Sequence, residues 1–172
     1  MIKLTALEPE DLELLYTIEN DTSLWIVSNS NVHFSRYALR DYIVNQKADI
    51  YADKQLRLVV RKGNNAYSSD ASDTIGLIDL FNFEPKHLRA ELGIAILKHE
   101  QGKGYAQNAV QKLIDYCRIT LHLHQIYCIV PINNEPSINM LRKVGFSNET
   151  ILKDWILTSE GWIDAIQLQY FL

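Results

Sequence analysis

The chain has 172 residues, 47% of them hydrophobic and 22% charged, with a formal net charge of −4. That size suits one domain, spanning residues 1–172, with a core of its own, and the composition is that of an ordinary soluble globular protein. The lack of a long basic block argues against nucleic acid as a partner. No apolar run approaches the ~20 residues of a membrane span, and the N-terminus is expected to carry no secretory signal.

In chain order, Leu4 to Leu7 reads as a short first strand. Pro9 then suits the first turn of a helix whose buried face is Leu12, Leu15 and Ile18, with Glu10 and Asp11 favourable at its positive end. Asn20 to Asn31 is polar and irregular. Ser35 is placed to cap a second helix carrying Leu39, Tyr42 and Ile43. Gln55 to Arg61 alternates and is β-branched, so it predicts a strand. Gly63 to Asp73 predicts a mobile loop. Strands follow at Thr74 to Phe83 and Leu88 to Leu97, joined by a turn at Glu84 to His87.

The spacing of Ala106, Val110, Leu113, Cys117 and Leu121 predicts a helix over 105–121, and Gln125 to Val130 predicts a strand. Asn134 then caps a short helix with Pro136 in its first turn, Ile138, Leu141 and Val144 inward, and Gly145 at its end. Phe146 to Leu157 and Gly161 to Leu172 form a closing hairpin. Cys117 and Cys128 both fall on apolar faces. They are expected as buried free thiols, which fits a reducing cytoplasm, with a Cys117–Cys128 disulfide as the alternative.

The segment between the central strand and the long helix carries the most chemistry. An apolar strand ends in Gln101-Gly102-Lys103-Gly104, and the helix begins at once with Tyr105-Ala106. A glycine turn ahead of a helix gathers backbone N–H groups at the positive end of a dipole, which suits phosphate. Neither named phosphate motif is present. After Lys103 stands Gly104 rather than Ser or Thr, and Gln107 stands where a dinucleotide loop has its third glycine. A plain strand-to-helix turn and a phosphate receptor both fit these residues taken alone.

The larger pattern resembles the GNAT N-acyltransferase superfamily over essentially the full chain. The resemblance rests on Gln101-x-x-Gly104-x-Ala106 after an apolar strand, and on Asn134-Glu135-Pro136-Ser137 followed by Arg142-Lys143-Val144-Gly145-Phe146. Gly102 to Ala106 and Gln125-Ile126-Tyr127 look like the spermidine and spermine N-acetyltransferase branch. Asn134-x-x-Ser137 looks equally like the branch that acetylates the N-termini of ribosomal proteins. The resemblance implies an α/β fold with a mixed, mostly antiparallel central sheet of six or seven strands. Helices would cover both faces, and one parallel crossover would lie at the cofactor site. It implies acetyl-CoA as co-substrate, with no metal. The backbone of Gln101, Gly102, Lys103, Gly104, Tyr105 and Ala106 would hold the diphosphate. Ile94, Ala95 and Ile96 would offer main chain to the pantetheine arm, and Asn134 would lie near the thiol end. Such proteins are commonly homo-oligomers.

Acetyl transfer to an amine needs a base, because alkyl ammonium groups hold their proton to a pKa of ~10.4. A donor for the departing thiolate also helps. Glu91, which interrupts an apolar run, is the first candidate base, the alternatives being an outward-facing strand carboxylate or a partner for Arg89. Asp79, a lone charge within Ile75 to Phe81, is the second, and Glu84 the third. Polyamine acetyltransferases of this family commonly place an acid tyrosine where this chain has Leu141. Ser137 is the candidate acid here, and Tyr105, Tyr127 and Tyr170 are further hydroxyls. Glu19, Asp21 and Trp25 are candidate contacts for a cationic acceptor. His122 and His124 have no third partner that would make a metal site. The expected acceptor is a polyamine, with a protein N-terminal amine as the alternative. Loss of the tyrosine also leaves open a non-catalytic CoA sensor.

Overall fold

The computed structural model describes residues 2–28, 30–63 and 73–172. The loop expected over Gly63 to Asp73 therefore lies, apart from its two end residues, outside the described residues. Seven strands form one sheet: β1 (Ile2–Ala6), β2 (Leu56–Lys62), β3 (Thr74–Glu84), β4 (Arg89–Ile96), β5 (Gln125–Pro131), β6 (Ser147–Thr158) and β7 (Gly161–Phe171). Their spatial order is β1-β2-β3-β4-β5-β7-β6, and among the described residues only β4 and β5 run parallel. The helices are α1 (Leu12–Glu19), α2 (Arg36–Val44), α3 (Ile50–Asp53), α4 (Tyr105–Ile119) and α5 (Glu135–Val144). The short α3, capped by the Asp49 side chain accepting from the Tyr51 N–H, was not expected, because one turn of helix leaves no periodic signal.

Strand alternation sends alternate side chains to two separate cores. Val59 and Leu77 pack under α1 and α2 with Leu12, Leu15, Leu39 and Ile43. Val60, Ile78, Leu80, Ala90 and Leu92 pack on the other face against Val110, Leu113, Ile114 and Cys117 of α4 and Ile138 and Leu141 of α5. Both cysteines are free, and both are buried. Burial pushes the Cys117 thiol up to about 12 and the Cys128 thiol well above its ordinary value. Among the described residues, no helix is long and apolar enough to cross a membrane.

One ion pair pins the first helix to the sheet from inside. Arg61 on β2 is 1% exposed, and Asp11, in the 3-10 turn Pro9–Asp11, is fully buried. One Arg61 Nη donates to both oxygens of Asp11 at 2.7 Å, and its Nε donates to Thr5 Oγ1 at 2.9 Å. Asp11 in turn accepts from the Glu8 N–H at 3.0 Å. Every group in the cluster is hydrogen-bonded, so the cost of dehydrating the charges is met locally. Deleting one partner strands the other. Asp11→Ala should lose about 3–5 kcal/mol in urea unfolding, while Asp11→Leu combined with Arg61→Met should recover most of it. Equal losses in the two variants would show that the charge itself, not its pairing, stabilises the fold.

Candidate active site

The site arises where the parallel pairing ends. β4 and β5 are in register only over Arg89–Gln125, Ala90–Ile126 and Glu91–Tyr127. Beyond Glu91, β4 stays on β3 while β5 follows β7, and the two separate. The Leu97 N–H donates to the Ile75 carbonyl at 2.9 Å. Antiparallel alternation from that bond assigns the main-chain groups of residues 91, 93 and 95 to β3 and turns those of Leu92, Ile94 and Ile96 toward the gap. The Ile96 carbonyl there accepts from Gln101 Nε2 at 2.8 Å, which ties the glycine turn to the strand end. Of the three residues expected to offer main chain, Ile94 and Ile96 face the gap. Ala95 faces β3: a Cβ on Gly76 would come within 2.2 Å of its carbonyl oxygen.

The gap opens into a cleft of about 470 Å³ that passes through the sheet. Glu19, Trp25, Arg57, Asp79 and Glu91 line it on the α1/α2 side. Asn134, Ser137 and Leu141 line it on the α5 side, with Gly93, Ile94 and Ala95 between them. The structure thus brings together eight residues, Glu19, Trp25, Asp79, Glu91, Ile94, Ala95, Asn134 and Ser137, that were candidates for base, acid, cofactor and acceptor contacts. Asp21 is not among them. It accepts from Ser23 Oγ at 2.6 Å, pairs with Lys98 Nζ at 3.2 Å, and lines a separate cleft between α1 and the end of β4, where Ile96 and Gln101 also lie. Glu84 lies at the end of β3, where its carboxylate accepts from the Lys86 N–H. The His124 ring packs edge-on against Phe171.

Glu91 sits at the fork itself. Its Oε2 accepts from Asn82 Nδ2 at 2.9 Å, and the Tyr127 hydroxyl is near enough to favour its charged form. Burial raises its carboxyl above the ordinary range, and the two donors hold that rise back. Burial and the neighbouring Glu91 carboxylate together raise the Tyr127 phenol. Asp79, in contrast, is fully engaged. Arg57 lies directly opposite it on β2 and donates to both its oxygens at 2.9 and 2.8 Å, while a third donor reaches Glu19 at 2.5 Å. Burial opposes the charge on Arg57, but Asp79 and Glu19 outweigh it and keep it a cation. Counting formal charges, Glu19, Asp79 and Glu91 against Arg57 leave this wall of the cleft negative. Trp25 is held by its indole N–H, which donates to the Glu19 carbonyl at 2.8 Å, and by the His33 ring at 4.8 Å.

At the other end, the turn Gln101 to Gly104 follows a 3-10 turn over Lys98–Glu100. Gly102 and Gly104 have φ of +74° and +79°, and a Cβ on either would meet nothing within 4 Å. Glycine is therefore required here for conformation and leaves open space beside the backbone. The first N–H groups of α4 lie just beyond. Buried Glu100 draws Lys62 and Lys103 to this turn: Lys62 Nζ bonds one oxygen, and Lys103 Nζ bonds the other at 3.0 Å. Those two hydrogen bonds lower the Glu100 carboxyl. Tyr105 opens α4 under Lys62, whose ammonium lies 5.8 Å from the ring centre. In α5, Asn134 Oδ1 accepts from the Ser137 N–H at 3.4 Å as the cap. Leu141, 2% exposed, closes the cleft wall with carbon.

Arg57, Asn82, Tyr127, Glu100 and Lys62 were not singled out from sequence, except Tyr127 as a hydroxyl of unknown aim. Arg57 carried a signal, because a strand reading Leu56-Arg57-Leu58-Val59-Val60-Arg61 can bury arginine only against a carboxylate. Pairing it with Asp79 required the β2–β3 register.

Comparisons with known proteins place the fold in a family. The model of the acetyltransferase (GNAT) domain matches residues 2–147. The chain is 30% identical over 171 residues to the spermidine N(1)-acetyltransferase of Escherichia coli (strain K12), covering 99% of this chain and 86% of that protein. It is 29% identical over 157 residues to the putative ribosomal N-acetyltransferase YdaF of Bacillus subtilis (strain 168), covering 89% of this chain and 81% of that one. Among solved structures, the spermidine N-acetyltransferase from Vibrio cholerae in complex with CoA and spermine superposes with a TM-score of 0.82 at 25% identity. It covers 99% of this chain and 95% of the other. A dodecameric structure of spermidine N-acetyltransferase from Vibrio cholerae does so with a TM-score of 0.77 at 26% identity. Matched in sequence over nearly its whole length and in fold over the same span, the chain belongs to the GNAT acetyltransferase family and is an N-acetyltransferase.

Proposed function

We propose that this single-domain enzyme transfers acetyl from acetyl-CoA directly to a primary amine of a polyamine, with both substrates bound in the one cleft. The observation that carries the proposal is the cleft through the sheet. Beside Glu91 it has the main-chain edge of β4, which runs on toward the glycine turn, and the N-terminus of α5, and a negative wall lies opposite. Acetyl-CoA supplies the acetyl group already activated as a thioester. The remaining work falls to residues of the chain.

The N–H groups from Gln101 to Ala106, with Lys62 and Lys103 beside them, fit a diphosphate, since they combine a helix N-terminus with two cations gathered by Glu100. The Leu92 to Ile96 edge fits an amide-bearing arm laid along it as an added strand. The Ile94 N–H, turned into the gap, is suited to hold charge that develops on a carbonyl oxygen. Glu91 is the base, taking the ammonium proton directly or through water. A carboxyl raised by burial is better matched to that task than an ordinary one. Ser137, in the first turn of α5, is the acid, because Leu141 has no proton to give. Glu19 and Asp79, with Trp25 above them, attract the distant ammonium groups of a polycation.

The relatives support the polyamine as acceptor through the printed activity of the E. coli protein and the spermine-bound V. cholerae structure. The kinship to YdaF supports a protein N-terminal amine as the second acceptor class. The sensor alternative rests on Leu141 alone. Exposed Trp155 and Trp162, 53% and 59% accessible on the closing hairpin, and the dodecameric neighbour support a homo-oligomer. The two free buried thiols support a cytoplasmic setting.

Radiolabelled acetyl-CoA should label spermidine or spermine faster than an N-terminal peptide. Tight CoA binding with no labelled amine of any kind would favour the sensor instead. Since Glu91 must lose its proton to act, kcat should rise with pH through a limb above the ordinary carboxylate range. Glu91→Gln should erase that limb and lower kcat by about 10²–10⁴-fold. Gly104→Ala should weaken CoA binding about fivefold or more in calorimetry, because the left-handed backbone costs an alanine roughly 1–2 kcal/mol. Glu19→Gln should raise KM for the polyamine with little change in kcat, and the effect should shrink as salt screens the pocket.

A further inference from the structure

Strand β3 pairs with β4 in a register that sets Phe81 opposite Glu91 and then, after a shift, Glu84 opposite Arg89. Two residues of β3, Asn82 and Phe83, therefore oppose the single residue Ala90. This is a bulge of one residue. Strict alternation from Leu80 would have sent Asn82 to the core face, beside Ala90, and Phe83 to the face of Glu91. The bulge reverses both. Phe83 is buried in the α4/α5 core with Leu80 and Ala90. Asn82 is exposed, stands at φ +49°, and its amide reaches Glu91 Oε2 at 2.9 Å. A left-handed backbone is strained for most side chains and is tolerated best by glycine and asparagine. Asn82 and Glu91 line the same cleft.

We propose that Asn82 is the positioning residue for Glu91: the bulge in β3 turns its amide out of the core face and onto the carboxylate, fixing the direction of that carboxylate in the cleft. The inference rests on the reading of Glu91 as the base. Asn82 of β3 donates to the carboxylate, and Tyr127 of β5 stands opposite Glu91 on the other side of β4. The other titratable or charged groups facing this place are Cys128 on β5, Arg89 on β4, and the Asp79–Arg57–Glu19 cluster farther along the same face. A hydrogen bond donated to a carboxylate favours its charged form, so losing the donor raises the proton affinity of Glu91, and putting a second carboxylate there raises it further.

Two variants keep a residue able to adopt the left-handed backbone. Asn82→Gly removes the amide, and Asn82→Asp replaces it with a like charge. The titration of Glu91 can be followed in the full chain by 13C NMR of the glutamate carboxyl carbons, with the Glu91 signal assigned by its loss in Glu91→Gln. Its midpoint should rise by about half a pH unit in Asn82→Gly and by about one or more in Asn82→Asp. The acid limb of kcat should move with it. If Asn82→Asp fails to fold, the glycine variant decides alone. A Glu91 midpoint unchanged in the glycine variant overturns the proposal, even where Glu91→Gln erases the acid limb and leaves the base assignment standing. A shifted midpoint with an unmoved kcat limb has the opposite meaning: Asn82 orients the carboxylate, and another group is the base.

Discussion

Three residues of parallel pairing between β4 and β5 join the two halves of the sheet, and the site depends on where that pairing stops. Strands β1 to β4 form an antiparallel ribbon, and β5 to β7 form another. Each strand at the junction keeps its outer partner, β3 for β4 and β7 for β5, so the seam between them can open without either losing its place. Main-chain N–H and C=O groups left at such a seam need partners. A linear molecule carrying amides can supply them, which is why an opening in a sheet serves as a binding site as well as a defect.

Because the opening passes through the sheet, the two faces can do different jobs. The α4/α5 face ends in a glycine turn, a helix N-terminus and two lysines collected by Glu100, a setting for negative charge. The α1/α2 face carries Glu19, Asp79 and Glu91 against a single Arg57, a setting for positive charge. Glu91, at the last paired position, stands between them. The separation of charge follows from strand alternation, since residues 91 and 93 of β4 point one way and 92 and 94 the other.

Two arginines on β2, one buried and one half-buried, show how placement decides role. Arg61 and Asp11 are sealed from solvent and fasten the first turn and β1 to the sheet. Four residues earlier on the same strand and face, Arg57 holds Asp79 and Glu19 in a partly open cleft. There the same chemistry fixes two carboxylates in a wall that a cation can approach. Holding both carboxylates with one arginine limits their mutual repulsion, while the surplus negative charge is retained.

By itself the sequence determined the order and type of nearly all the elements, the two caps at Ser35 and Asn134, the glycine turn, and the family pattern that links the turn to α5. These are local signals of period, capping and backbone freedom, written within about 20 residues. It also placed Glu91 and Asp79 as charges out of keeping with their strands. Only the tertiary structure decided what answers those charges. Asp79 meets Arg57, from 22 residues away, through the β2–β3 register. Glu91 meets Asn82 because a single extra residue in β3 reverses the alternation, and no periodic pattern predicts which residue a bulge will turn. Asp21, close in sequence to Glu19 and Trp25, is excluded from the cleft because the chain leaves α1 toward Lys98. Contacts between distant strands are set by register, and register is a property of the assembled sheet.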